Sequence, residues 1–120
     1  MSYFFDTYAI IELMKNNPNY EKFKEFEIIT GIMNIGELYN IILRTKGKES
    51  ADSWFKSCDF ELLELTPEIM VKSIYLRFAN KSKNISAADA IGYVTSLKHN
   101  LKFLTGDKQF EKMMNVEFVK

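Results

Sequence analysis

The sequence holds a single cysteine, Cys58, and a single histidine, His99. One cysteine excludes an internal disulfide. So few soft ligands also argue against structural zinc, which takes several Cys or His side chains. There is no excess charge of either sign: sixteen basic residues cancel sixteen acidic ones. Binding to nucleic acid through bulk charge alone is therefore excluded, whereas an acidic pocket beside a basic rim is not. Apolar runs are short. None reaches the length that spans a bilayer, and the opening "MSYFFDTYAI" lacks a basic segment followed by a long apolar one. A soluble, cytoplasmic protein with no membrane partner is expected. Repeats, low-complexity tracts and linkers are also missing, and the one minor basic tract is "RTKGK", Arg44 to Lys48.

What is present is enough for a core. The chain has 120 residues, 47% of them hydrophobic and 14% aromatic, with ten Phe and six Tyr. That size predicts one domain, residues 1–120, and that composition argues against disorder.

Short apolar runs alternate with helical patterns. "SYFF" (Ser2 to Phe5), "EIIT" (Glu27 to Thr30), "FELLEL" (Phe60 to Leu65), "KFLT" (Lys102 to Thr105) and "VEFV" (Val116 to Val119) read as strands. Between them lie helices. "TYAIIELMK" is broken by Asn16-Asn17-Pro18-Asn19, and "YEKFKEF" follows as a short second helix. "IMNIGELYNIILRTKG" places Ile35, Leu38 and Ile42 on one face and stops at Gly47. "KESADSWFKS", "PEIMVKSIYLRFANKS" with proline in its first turn, and "NISAADAIGYVTSLKHN" complete the set, before a helical turn around Lys108 to Met113. Alternation at this spacing implies right-handed crossovers. The expected fold is α/β: a mostly parallel sheet of about five strands with helices on both faces.

In such sheets ligands sit beyond the carboxyl ends of the strands, at the point where strand order reverses. Asp6 follows the first strand directly, and Asp107 lies two residues past "KFLT". Crossover helices begin at the same edge. That edge therefore also receives Glu37, in the second turn of its helix, and Asp89, in the first turn of "AADAIGY". Each acid has a plainer role open to it. Asp6 can cap a helix, Asp107 can hold a turn, Glu37 can be a solvated helix residue, and "SAAD" has capping-box spacing with Ser86 as the cap. Yet "NIGEL" holds no other charge, and Asp89 sits among Ala87, Ala88, Ala90 and Ile91. Capping does not explain four acids converging without a matching cluster of Arg or Lys. Like charges at one rim raise one another's pKa values. A divalent cation relieves the repulsion, and hard oxygen ligands select Mg²⁺ or Mn²⁺.

At these residues the chain resembles the PIN-domain family of ribonucleases, and its size and composition are most like the VapC-type toxins of toxin–antitoxin pairs. The matching stretches are "FFDTYAI", "IMNIGELYNI", "ISAADAIGYVTSLKHNLKFLTGD" and "TGDKQF", with the acids in the order Asp, Glu, Asp, Asp. The resemblance implies a Mg²⁺- or Mn²⁺-dependent endoribonuclease, with Asp6, Glu37, Asp89 and Asp107 as its catalytic and metal-holding acids. It implies Thr7 and Thr105 as supporting hydroxyls, an antitoxin protein as partner, and a homodimer. Where many relatives carry a second acid just before the closing Phe, this chain has Gln109, which leaves Asp107 to serve alone. For the RNA, Lys108 is the leading phosphate contact, with Lys46, Lys48, Lys81 and Lys83 as weaker candidates. Cys58 reads as a small core residue and His99 as a helix C-terminal residue.

Two other enzyme classes fit poorly. A receiver domain wants an acidic pair after the first strand and a phosphoacceptor Asp ending the third, and "LLELTPE" has none. A dehalogenase-type phosphatase wants Asp-x-Asp, where this chain reads Asp6-Thr7-Tyr8. The remaining alternative is a catalytically inactive PIN-like module that binds RNA or protein without cutting.

Overall fold

Phe4 and its two neighbours set the architecture. Side chains alternate along a strand, so in β1 (Tyr3–Phe5) Tyr3 and Phe5 point to one face of the sheet and Phe4 to the other. All three are buried, which requires cover on both faces. The computed structural model describes residues 2–120. On one face Tyr3, Phe5 and Leu104 pack with Ala9, Ile10, Tyr20, Phe23 and Leu38. On the other, Phe4 and Phe103 pack with Ile85, Ala90, Tyr93 and Phe110. The predicted α/β fold with helices on both faces is what forms.

The remaining strands are β2 (Ile29–Gly31), β3 (Glu61–Leu63), β4 (Lys102–Thr105) and β5 (Val116–Phe118), and the helices are α1 (Thr7–Met14), α2 (Ile32–Lys46), α3 (Lys48–Ser57), α4 (Pro67–Ala79) and α5 (Ala87–Lys98). The sheet has five strands in the order β3-β2-β1-β4-β5, and every pairing is parallel. Strand order reverses between β1 and β4. Their register pairs Phe5 with Leu104, so Asp6 and Thr105 leave the sheet side by side. The Asp6 N–H donates to the Leu104 carbonyl at 3.1 Å, extending the ladder one step past β1.

Two segments differ from their sequence reading. "YEKFKE" lies within a 3-10 helix, Pro18–Glu25, with Phe26 as its C-cap, and the helix is started by Asn17, whose side chain accepts from Asn19 N–H. Pairing in "FELLEL" is confined to Glu61–Leu63, an edge strand with Glu61 and Leu62 exposed. An edge strand with one neighbour has fewer partners to keep its ends in register.

α5 carries the closest helix-to-sheet contact. A Cβ on Gly92 would stand 3.0 Å from Phe4 and 3.2 Å from Phe103 ring carbons, so glycine lets the helix lie against the sheet. Asp89, one turn earlier, is thereby brought to the carboxyl edge. Ser86 caps this helix, accepting from the Asp89 N–H at 3.1 Å. No helix among the described residues is long and apolar enough to cross a membrane.

Candidate active site

The strand-end carboxylates and the helix-start carboxylates meet in one cleft. Asp6, Thr7, Tyr8, Glu37, Asp89, Gly106, Asp107, Lys108 and Lys120 line an open hollow of about 480 Å³. It lies at the reversal point between β1 and β4. All four sequence-predicted acids, with Thr7 and Lys108, are in its wall.

Asp6 is the most constrained of them. It is 2% exposed and stands at the N-cap position of α1, yet its side chain makes no capping hydrogen bond. The Thr105 hydroxyl donates to Oδ2 at 2.7 Å, while buried Oδ1 has no hydrogen-bond partner. Burial pushes its pKa up to about 8. The nearby Asp89 charge adds to the rise, the Thr105 hydroxyl and then the Thr7 main-chain N–H, which lies near the carboxyl without forming a full hydrogen bond to Oδ1, oppose it, and Glu37 adds a smaller push. A buried carboxylate with one unsatisfied oxygen is costly, and a positive partner would relieve that cost.

The other three acids are held by neighbours. The Thr7 hydroxyl donates to Glu37 Oε1 at 2.6 Å, and Thr7 in turn accepts from Asn34 Nδ2 at 2.9 Å. Asn34 is buried and one turn before Glu37 on α2. This relay was not read from the sequence; the one available signal was an uncharged polar residue on the buried stripe of an apolar helix. Asp89 has its pKa pushed up to about 6, by burial first, with hydrogen bonding from Ser86 working against it and the charges of Glu37 and Asp107 adding to the rise. Asp107 Oδ1 accepts from the Gln109 N–H at 3.0 Å and so caps the short 3-10 turn Lys108–Phe110. The Asp107 N–H donates to the Thr105 hydroxyl at 3.1 Å, and Thr105 thereby links Asp107 to Asp6.

Gln109 is accounted for as well. Its Oε1 accepts from Asn84 N–H at 3.2 Å, fastening the loop that leads into α5.

The lysines divide. Lys108 lines the cleft. Lys48 is paired with Asp52 at 2.7 Å, Lys81 lies over the Phe78 ring, and Lys83 reaches the Gln109 carbonyl at 3.4 Å. These three and Lys46 are not in the cleft wall. Lys120, which the sequence reading did not single out, is in it. Cys58 is half-buried at the C-terminal end of α3, and His99 is the C-cap of α5; neither lines the cleft.

Among the described residues no three Asp, Glu, His or Cys side chains stand close enough to hold a metal ion by themselves. That excludes a closed protein cage of the structural-zinc kind. The orphan oxygen of Asp6 and the mutual repulsion of the acids fit a hard divalent cation.

The family model for the PIN domain matches residues 3–115 of this chain. No curated protein matches it. Solved structures do. Mycobacterium tuberculosis VapC20, described as a Sarcin-Ricin loop cleaving toxin, is 15% identical with a TM-score of 0.80, covering 99% of this chain and 100% of that one. A toxin–antitoxin complex from Klebsiella pneumoniae is 19% identical with a TM-score of 0.75, covering 97% and 96%. VapBC2 from Rickettsia felis, bound to a DNA fragment from its promoter, is 18% identical with a TM-score of 0.75, covering all of both chains. At these identities the likeness is one of fold.

Proposed function

Because the chain belongs to the PIN domain family, we propose that it is a metal-dependent endoribonuclease that hydrolyses RNA phosphodiester bonds, and the toxin of a cytoplasmic toxin–antitoxin pair. We assign it as one domain over residues 1–120. The observation that carries the reading is Asp6: buried, free of any capping role, with one oxygen unpartnered in a cleft shared with Glu37, Asp89 and Asp107.

Asp6 and Asp89 are the residues that would hold Mg²⁺ or Mn²⁺, with Glu37 and Asp107 engaged directly or through water. When bound, such an ion supplies positive charge for the phosphodiester in transition and lowers the pKa of water. The protein supplies orientation. Thr105 holds one oxygen of Asp6 and leaves the other, buried beside the cleft, unpartnered. Thr7, itself held by Asn34, fixes Glu37. Asp107 spends Oδ1 on the Gln109 N–H, which leaves its other oxygen for water or substrate. Lys108 stands at the rim as a phosphate contact. The mechanism needs no side-chain nucleophile.

Partners follow from the surface. α4 exposes Val71, Ile74, Tyr75 and Phe78, each at least 60% accessible. Beside it Ile69, Leu76, Tyr93, Val94 and Leu97, together with the charged Glu68, Lys72 and Lys98, line a mixed hollow of about 360 Å³ between α4 and α5. Exposed apolar surface of this kind supports a protein interface. We assign it to the contacts of a homodimer and its antitoxin. Sedimentation of the isolated chain is expected to give a dimer, and a monomer at high micromolar concentration removes that assignment.

The activity is tested by incubating the purified chain with a mixed RNA pool. Cleavage with Mn²⁺ and its loss with chelator are expected. Intact RNA in both arms would instead favour the non-cutting RNA- or protein-binding module, the reading that the missing three-acid cage also allows.

A further inference from the structure

Lys120 stands in the wall of the carboxylate cleft, and no step described above uses it. Its ammonium lies 5.8 Å from the centre of the Tyr8 ring, within the range of cation–π attraction. It forms no close ion pair with the acids beside it. Among the described residues the ion pairs are Lys15–Glu12, Lys24–Glu21, Lys48–Asp52 and Lys72–Glu68, and none involves the cleft.

The backbone that presents Lys120 is fastened on two sides. Val119 N–H donates to the Thr105 carbonyl at 2.9 Å. The Val119 carbonyl accepts from the Tyr20 hydroxyl at 2.6 Å, and the Lys120 main-chain oxygen accepts from Asn19 Nδ2 at 2.8 Å. Gly106 completes the arrangement: a Cβ there would collide with both the Tyr8 ring and the Val119 carbonyl oxygen. Glycine thus lets β4, α1 and the Lys120 segment close together around the acids. The result is a cation on an anchored backbone, lying over a neutral aromatic face, beside a group of carboxylates that would otherwise repel a polyanion.

We propose that Lys120 seats a backbone phosphate of single-stranded RNA next to the one in the cleft, with Tyr8 as the surface that holds the ammonium in place. This rests on the nuclease reading for the identity of the substrate. A lysine locked to a carboxylate has its charge already satisfied. One held by a ring keeps most of its charge for a phosphate, and each phosphate contact releases counterions from the nucleic acid.

The test is fluorescence anisotropy of the full chain with a labelled, unstructured single-stranded RNA oligonucleotide. It is run in chelator, where the strand stays intact, across a series of salt concentrations. Wild type, Lys120→Gln and Lys120→Arg are compared, with thermal melts to confirm equal folding and with Mn²⁺ cleavage measured separately. Losing one contact on a single strand makes the log-affinity against log-salt slope shallower by about 0.7. Lys120→Gln is expected to show that change and a raised KM for cleavage, with Lys120→Arg restoring both. A wild type that binds and cuts, with an unchanged slope in Lys120→Gln, overturns the subsite and leaves the nuclease reading standing. A wild type that binds without cutting, with the slope reduced in Lys120→Gln, keeps the subsite and overturns the nuclease. A wild type that does neither overturns both.

Discussion

Asp6 and Asp107 follow neighbouring parallel strands and open onto the same cleft, but they are used differently. Asp107 makes the hydrogen bond that a turn carboxylate ordinarily makes, accepting from Gln109 N–H. Asp6 occupies a helix N-cap position and declines the cap. It is buried instead, bonded through one oxygen to Thr105 and bare on the other. Helix N-termini favour negative charge, yet here burial and the charge of Asp89 outweigh that field and raise the pKa of Asp6 to about 8. A residue that gives up a local hydrogen bond and accepts desolvation is placed for something other than local stability. By the same measure Asp107 serves the fold first and the cleft second, and Asp89 stands between, inside a capped first turn but half-buried among the acids.

The largest effects should fall at the buried end of that contrast. Asp6→Asn and Asp89→Asn are each expected to abolish Mn²⁺-dependent RNA cleavage, since an amide keeps the shape and loses the charge that holds the ion. Either mutant cutting at the wild-type rate would break the assignment. Both variants should fold, because the Ser86 cap engages the Asp89 main chain and Asp6 makes no cap with its side chain.

Orientation should matter less than charge. Thr105→Val leaves all four acids in place and removes the hydroxyl that fixes Asp6 and Asp107. Loss of such a supporting bond costs about 10–100-fold in metal affinity or activity, read as a shift in the Mn²⁺ concentration giving half-maximal cleavage. An unchanged Mn²⁺ requirement would show that burial alone orients Asp6.

The electrostatic half of the contrast can be read without RNA. The folded pKa values of Asp6 and Asp89 lie near 8 and 6, above the ordinary 3.8. The metal-free folded protein therefore keeps protons that the unfolded chain has released. The stability these two groups contribute is fully present below about pH 4 and is lost as pH rises through 6 and then 8. In chelator the melting temperature should fall across that window, and Asp6→Asn should flatten the decline. Adding Mn²⁺ at a hundredfold excess over its dissociation constant stabilises wild type by about 2.7 kcal/mol. A wild-type melt in chelator that is level from pH 5 to 8 would contradict the buried, repelling cluster.

The smallest effect is expected at Asp107. Asparagine keeps an oxygen to accept from Gln109 N–H, so Asp107→Asn should leave the melting temperature unchanged and lower cleavage by less than Asp6→Asn does. A loss equal to that of Asp6→Asn would place Asp107 among the direct metal ligands and erase the distinction drawn here.

The sheet edge was legible in sequence because it depends on period and order. A buried aromatic run ending in Asp6, and "KFLT" two residues before Asp107, place both acids without knowledge of contacts. Glu37 and Asp89 followed from the direction in which crossover helices run. The relays were not legible, because they join residues far apart in the chain. Thr105 meets Asp6 across 99 positions, Asn34 meets Thr7 across 27, and Asn19 anchors Lys120 across 101. No local pattern announces such pairings; they depend on register and on the close approach that Gly92 and Gly106 allow. Lysine placement was legible at Lys108, which lines the cleft, and not at Lys120, for a related reason. "RTKGK" stands out as a tract, but it lies at the α2–α3 junction, where Lys48 is already engaged with Asp52. Lys120 is unremarkable by sequence and reaches the cleft only through the folding of the β5 segment.

The central claim is that Asp6 anchors a divalent cation in this cleft. It is tested most directly by titrating Mn²⁺ into wild type and Asp6→Asn and following the electron paramagnetic resonance signal of the free ion. Wild type should withdraw Mn²⁺ from solution saturably, and Asp6→Asn should leave the signal of the free ion intact at the same concentrations. Equal uptake by the two proteins, or none by wild type, would contradict the account.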